Sequence, residues 1–170
     1  MTAVAVAPFA SFDDMVVWQA RRWSFVREVG GPNRGFWVEW IQRFTANAPG
    51  DSWCASFVSM ILAIAFRGKS QSPVVTTAVC EEIHGEAKAN GWLTTTPKRG
   101  DLYLYLDEHG HAHHVGIVTE PDPLHGIAGN TSEDGTSVNG DRVAEHAIAA
   151  PRGGSLVFVA YPRPALLAAA

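Results

Sequence analysis

Cys54 follows Asp51-Ser52-Trp53 and precedes a run that is almost wholly apolar to Phe66. Asp51 or Ser52 is a suitable helix start, which places Cys54 two or three positions inside a helix. There the free backbone N–H groups and the positive end of the helix dipole favour a thiolate over a thiol. The same N–H groups are able to hold a developing oxyanion. The competing reading is a buried structural cysteine, since free Cys is among the most buried residue types. Cys80, the only other cysteine, falls in the middle of a predicted helix and reads as structural.

A base for such a nucleophile is available downstream. The segment 109–114 holds His109, His111, His113 and His114, four of the seven histidines. Side chains alternate along a strand, so His114, Gly116 and Val118 share one face and His113, Val115 and Ile117 the other. Glycine in a strand often marks close approach of another backbone, so the space beside His114 is where the Cys54 helix is expected to arrive. A metal site built on His109, His111 and His113 is the alternative, but no carboxylate or cysteine follows at ligand spacing. Asn130 shares its strand face with Gly126 and Ala128. An amide there suits the second ring nitrogen of a histidine on a neighbouring strand, fixing its tautomer. Gly129-Asn130-Thr131-Ser132 is equally turn chemistry. A cysteine on a helix, then a histidine and a polar residue on successive strands, is the layout of a papain-like thiol hydrolase.

The elements that must position these groups are legible in outline. Ser11, three residues before Asp14, opens a first helix whose apolar stripe runs to Val26, and Gly30-Gly31 stops it. Asn33 is placed to cap a second helix, with Trp37, Trp40, Ile41 and Phe44 as its apolar face. The third helix, to Phe66, is apolar on nearly every side and should be central and buried. A fourth is expected from Val74 to Asn90, closed by Gly91. Five strands follow, at 102–106, 114–119, 124–130, 142–148 and 156–161. Helices first and strands afterwards predict an α+β domain, with N-terminal helices packed on a C-terminal antiparallel sheet. Residues 11–162 form that single domain, between flexible segments at 1–10 and 163–170.

Composition agrees and narrows the function. The chain of 170 residues is 46% apolar and 18% charged, enough to build a core and too apolar for disorder. A net charge of −4, with Lys and Arg scattered, disfavours a nucleic-acid binder. Two cysteines allow at most one disulfide and exclude a zinc ribbon. The longest apolar stretch, Phe57 to Phe66, is too short for a membrane span. Residues 1–10 carry no basic residue, so no secretory signal is expected and synthesis is assigned to the cytoplasm.

Four landmarks occur in order: Trp53-Cys54-Ala55-Ser56-Phe57-Val58, Pro97-Lys98-Arg99-Gly100-Asp101-Leu102, His114-Val115-Gly116-Ile117-Val118 and Gly129-Asn130-Thr131-Ser132. Together they resemble the CHAP family of cysteine, histidine-dependent amidohydrolases and peptidases, related to the NlpC/P60 group. Glu28 to Asn33 and Ala87 to Leu93 resemble the same domains, so the likeness spans about Val26 to Ile148. It implies a papain-like fold and cleavage of an amide bond in peptidoglycan, either between N-acetylmuramic acid and L-alanine or within the stem peptide or cross-bridge. It implies Cys54 as nucleophile, His114 as base and Asn130 as the orienting residue, with Trp53 and His113 beside them as substrate contacts. Some relatives place a Glu two positions before this Asn; here that position is Ala128. The calcium bound by some members is not expected, because the loop from Thr45 to Asp51 offers only Asp51. Neither a metal nor a cofactor is expected.

The resemblance implies a monomeric phage lysin or antibacterial effector that acts on the cell wall after release or delivery. A phage particle, a holin or a secretion system would be its partner, and peptidoglycan its substrate. A catalytically idle CHAP-like structural or binding module of a phage particle is the alternative, and a histidine-rich metal binder the weakest one.

Overall fold

The computed structural model describes residues 9–68 and 71–164. Helix α1, Phe12–Arg21, starts as its sequence predicts. Ser11 Oγ accepts the Asp14 backbone N–H at 3.0 Å and donates to Asp14 Oδ2 at 2.8 Å. The helix stops well short of Gly30, and residues to Val26 continue in turns that bring Val26 into the core.

Helix α2 spans Phe36–Phe44, and Gly35, not Asn33, occupies its N-cap. Asn33 adopts a left-handed φ of 56° and donates from Nδ2 to Gly50 O at 3.1 Å. The inward face also differs from expectation. Val38, Ile41 and Gln42 are buried, while Trp37 and Trp40 are each 42% exposed. The cause is Gln42, whose Nε2 donates to Asn33 O at 3.1 Å and Asp51 O at 2.7 Å. A buried carboxamide must find such partners, and finding them turns the helix. The displaced tryptophans pack with Trp23 instead; the Trp23 and Trp40 rings stack at 5.4 Å.

Gln42 thereby ties the loop at Asp51 that leads into helix α3, Cys54–Ala65. As predicted, α3 is the central helix, buried at every position except Ile64. It begins two or three residues later than expected, so Cys54 is its first residue.

The largest departure lies in helix α4, which spans Cys80–Ala89 rather than starting at Val74. Val74-Val75-Thr76-Thr77 are all β-branched, with restricted side chains that disfavour helix. Their segment lies extended against α3. Ser59 Oγ donates to Thr77 O at 2.9 Å and accepts the Thr77 N–H at 3.1 Å. Thr77 Oγ1 donates to Glu82 Oε2 at 2.6 Å. Cys80 is therefore at a helix start, not mid-helix. At the other end Gly91 turns the chain with φ 69°, as predicted.

The strands are β1 (Leu93–Thr94), β2 (Leu102–Leu106), β3 (Ala112–Pro121), β4 (Leu124–Thr131), β5 (Arg142–Ala147) and β6 (Ser155–Val159). They form one antiparallel sheet in the order β1-β6-β2-β3-β4-β5. The five predicted strands are present, and the two-residue β1 is additional. The fold is thus α+β. Strand β2, Leu-Tyr-Leu-Tyr-Leu, shows why both faces are filled. Leu102, Leu104 and Leu106 join the core shared with the helices, whereas Tyr103 and Tyr105 join Val118, Ala128, Ile148 and Phe158 on the opposite face.

Position 163, expected to begin a flexible tail, is anchored. Arg163 pairs through Nε with Asp13 Oδ1 at 2.8 Å and through Nη2 with Asp101 Oδ1 at 2.6 Å. Residues 1–8 and 165–170, which hold most of the two expected flexible segments, lie outside the described residues. Among the described residues no helix is long and apolar enough to cross a membrane.

Candidate active site

Trp53 sets the position of the α3 start. It is fully buried, and its indole N–H donates to Glu28 Oε1 at 3.0 Å. Its ring rests on β4 at Gly129, where an added Cβ would lie 2.5 Å from Trp53 Cζ3 and 2.9 Å from Phe57 Cβ. Gly129 is therefore the point of close approach between helix and sheet. The lane expected to serve that purpose is taken otherwise, since the Tyr103 ring covers both Gly116 and Gly126. Trp53, expected as a substrate contact, is enclosed as fully as Cys54 and His114 and wedges the α3 start against the sheet. We expect Gly129→Ala to destabilise the protein by about 2–3 kcal/mol through overpacking, read by denaturant unfolding. An unchanged midpoint would show that Trp53 has room to move.

Cys54 is 3% exposed and meets Cys80, with the two Sγ atoms 3.6 Å apart. Both cysteines are free. Each is the first residue of its helix, so α3 and α4 aim their positive ends at one pair of sulfurs. The pair ionises unequally. A hydrogen bond from Cys80 pulls the Cys54 thiol well below its ordinary range, against the opposing effect of burial. The nearby His114 imidazole and the Val115 backbone N–H pull in the same direction. Cys80 is pushed well up, first by its bond to Cys54, then by burial and the charge of Cys54, with Glu81 adding to the same effect. Of the two, Cys54 is the more readily ionised, and the sulfurs share one contact in which either is able to donate.

His114 is fully buried in β3, opposite Tyr105 of β2. The Tyr105 ring stacks on its imidazole at 5.6 Å, and Tyr103 lies 6.1 Å away. Neither ring nitrogen has a completed hydrogen bond, so His114 is adjacent to Cys54 rather than joined to it. Asn130 is also fully buried. It lies on β4, the strand that pairs with β3 from Ile117–Ile127 onward. The amide does not close on the ring: Nδ2 donates to Asn139 Oδ1 at 3.2 Å, and Oδ1 has no partner. Asn130 has a left-handed φ of 55°, within the register shift between β4 and β5. The nearby acids are engaged elsewhere. Glu133 accepts from Arg142 at 2.6 Å, and Asp134 from Ser132 and Thr136 at 2.7 and 2.8 Å.

His113 is exposed, at a surface depression shared with Leu106, Asp107 and Arg152. His109 and His111 sit in the turn before β3, where Asp107 Oδ1 accepts both of their backbone N–H groups at 2.9 Å. No group of three His, Cys, Asp or Glu side chains among the described residues is placed to hold a metal ion.

The structure thus brings Cys54 and His114 together and sets Asn130 on the next strand. Two participants escaped the sequence reading. Cys80 was signalled by the β-branched run before it, which forbids an early helix start. Tyr105 was signalled only by the alternation in β2, and its pairing with His114 needed the register. In comparison with known proteins, the chain matches no protein-family model and no curated protein.

Proposed function

We propose that the chain is a papain-like thiol hydrolase, similar to CHAP domains, that cleaves an amide bond in peptidoglycan. The observation that carries this reading is Cys54 as first residue of α3, with its thiol pulled toward the thiolate and His114 beside it. In this reading the Cys54 thiolate attacks the amide carbonyl carbon, and the N–H groups at the α3 start receive the oxyanion. His114 gives a proton to the departing amine, and water then releases the acyl group from sulfur. Asn130 orients the imidazole once substrate settles the site. Because Cys54 is 3% exposed, entry of substrate requires Cys80 and the start of α4 to yield. A phage lysin or an antibacterial effector fits such an activity.

The sealed thiol and the unpartnered nitrogens of buried His114 favour a second reading, a CHAP-like module that binds without cleaving. One experiment decides between them. Purified peptidoglycan is incubated with the protein in EDTA, and the soluble fraction is analysed by mass spectrometry. The hydrolase reading expects fragments with a newly freed amine at L-alanine, in the stem peptide or in the cross-bridge. Co-sedimentation without release supports the binding module. Neither binding nor release, with or without added calcium, defeats both.

A further inference from the structure

Hydrolysis as proposed uses one thiol, yet two face each other. We propose that Cys54 and Cys80 form a redox-modification site, an intramolecular dithiol that closes to a disulfide with a small peroxide as oxidant. The formation of the bond stands on the geometry alone. Its effect on activity rests on the proposed hydrolase function.

The sulfurs are 3.6 Å apart and a disulfide bond is about 2.05 Å long, so closure needs a relative movement of about 1.5 Å. Each cysteine is the first residue of its helix, so neither sulfur is held deep inside a rigid turn. The segment before Cys80 hangs on side-chain bonds to Ser59, Glu82 and Glu86 rather than on helical backbone bonds. That strap is the part of the site most able to give. Cys54 and Cys80 are 3% and 7% exposed, which excludes bulky disulfide oxidants and leaves a compact hydroperoxide as the reagent class.

The electrons balance in two steps. The Cys54 thiolate attacks one oxygen of hydrogen peroxide, the O–O bond breaks, and Cys54 becomes a sulfenic acid with hydroxide as leaving group. Cys80 sulfur then attacks the Cys54 sulfur and expels the second oxygen as hydroxide. The Cys80 proton passes to it, giving water. Overall two thiols are oxidised, one peroxide is reduced, and two water molecules form. Cys80 is the resolving thiol: it intercepts the sulfenic acid before a second peroxide converts it irreversibly to sulfinic acid. A closed bond also staples the start of α3 to the start of α4 and leaves no nucleophile at Cys54.

The test is intact-protein mass spectrometry after stoichiometric hydrogen peroxide, followed by denaturation with iodoacetamide. The wild-type protein is expected to lose two hydrogens, to resist alkylation at both cysteines, and to yield a peptide linking Cys54 to Cys80. Dithiothreitol should restore two alkylatable thiols. Cys80→Ser, given a several-fold excess of hydrogen peroxide, should instead gain two or three oxygens at Cys54, and dithiothreitol should not reverse it. Oxygen gain at Cys54 in the wild type, two thiols still open to alkylation, or a disulfide-linked dimer overturns the proposal. These masses are read without any turnover, so the site stands or falls separately from the hydrolase reading. If hydrolysis is found, the oxidised protein should lose at least tenfold in rate and regain it with dithiothreitol.

Discussion

Cys54→Ala should abolish peptidoglycan hydrolysis, lowering the rate by at least about 10^4-fold, with the fold intact. Removal of the sulfur removes the bond-forming atom, and the neighbouring Cys80 thiol is pushed well up, away from the thiolate form. Ala is itself a small apolar residue, so the buried position is left slightly underfilled and not polar. Circular dichroism should therefore match the wild type. Alkylation by a small reagent separates the two thiols further. Cys54 should react first, and its rate should rise at a pH below the ordinary thiol range of about 8.5. The hydrogen bond from Cys80 is the largest cause of that lowering, ahead of His114. Cys80→Ala should thus move the onset of Cys54 labelling to higher pH and reduce hydrolysis at neutral pH about three- to tenfold. Full activity in Cys54→Ala, or faster labelling of Cys80, would sink the assignment of the nucleophile.

The local signals in the sequence were strongest where one residue decides a backbone turn or a face. Ser11 before Asp14 located the α1 start, and the alternation from Leu102 to Leu106 located β2 and both of its faces. Expectation failed where tertiary bonds overrode periodicity. The tryptophan stripe of α2 predicted Trp37 and Trp40 inside, but one buried carboxamide, Gln42, chose another face. The same limit hid Cys80. An apolar pattern beginning at Val74 reads as helix, while four β-branched residues, the last of them held by Ser59, keep the chain extended before Cys80. For the candidate site, order along the chain was enough to bring out Cys54 and His114. The state of each ring nitrogen was not legible, because a cross-strand hydrogen bond depends on fractions of an ångström and on a bulge at Asn130.

His114→Ala should reduce hydrolysis by about 10^3-fold, the range expected for loss of a general acid and base. Strand parity sets His114 apart from His113, and burial agrees: His114 is fully enclosed beside Cys54, while His113 is exposed. His113→Ala should therefore stay within about twofold of the wild type, as expected for a surface change away from the thiol. Asn130 needs a more careful substitution. Its φ of 55° is left-handed, so alanine there brings backbone strain along with loss of the amide. Glycine accepts this conformation without strain, and Asn130→Gly isolates the side chain. In the proposed mechanism the neutral amide would fix the tautomer of His114 without strongly stabilising an imidazolium. Its removal should lower kcat about tenfold, leave KM nearly unchanged, and shift the acidic limb of the pH–rate profile. The melting temperature should hardly move. Asn130 Oδ1 and both His114 nitrogens lack partners at rest, so each is free to take up the contact that the proposed mechanism calls for. A pH profile identical to that of the wild type would make Asn130 a turn residue and no more. Loss of activity in His113→Ala, with His114→Ala still active, would reverse the parity and assign the base to the other face of β3.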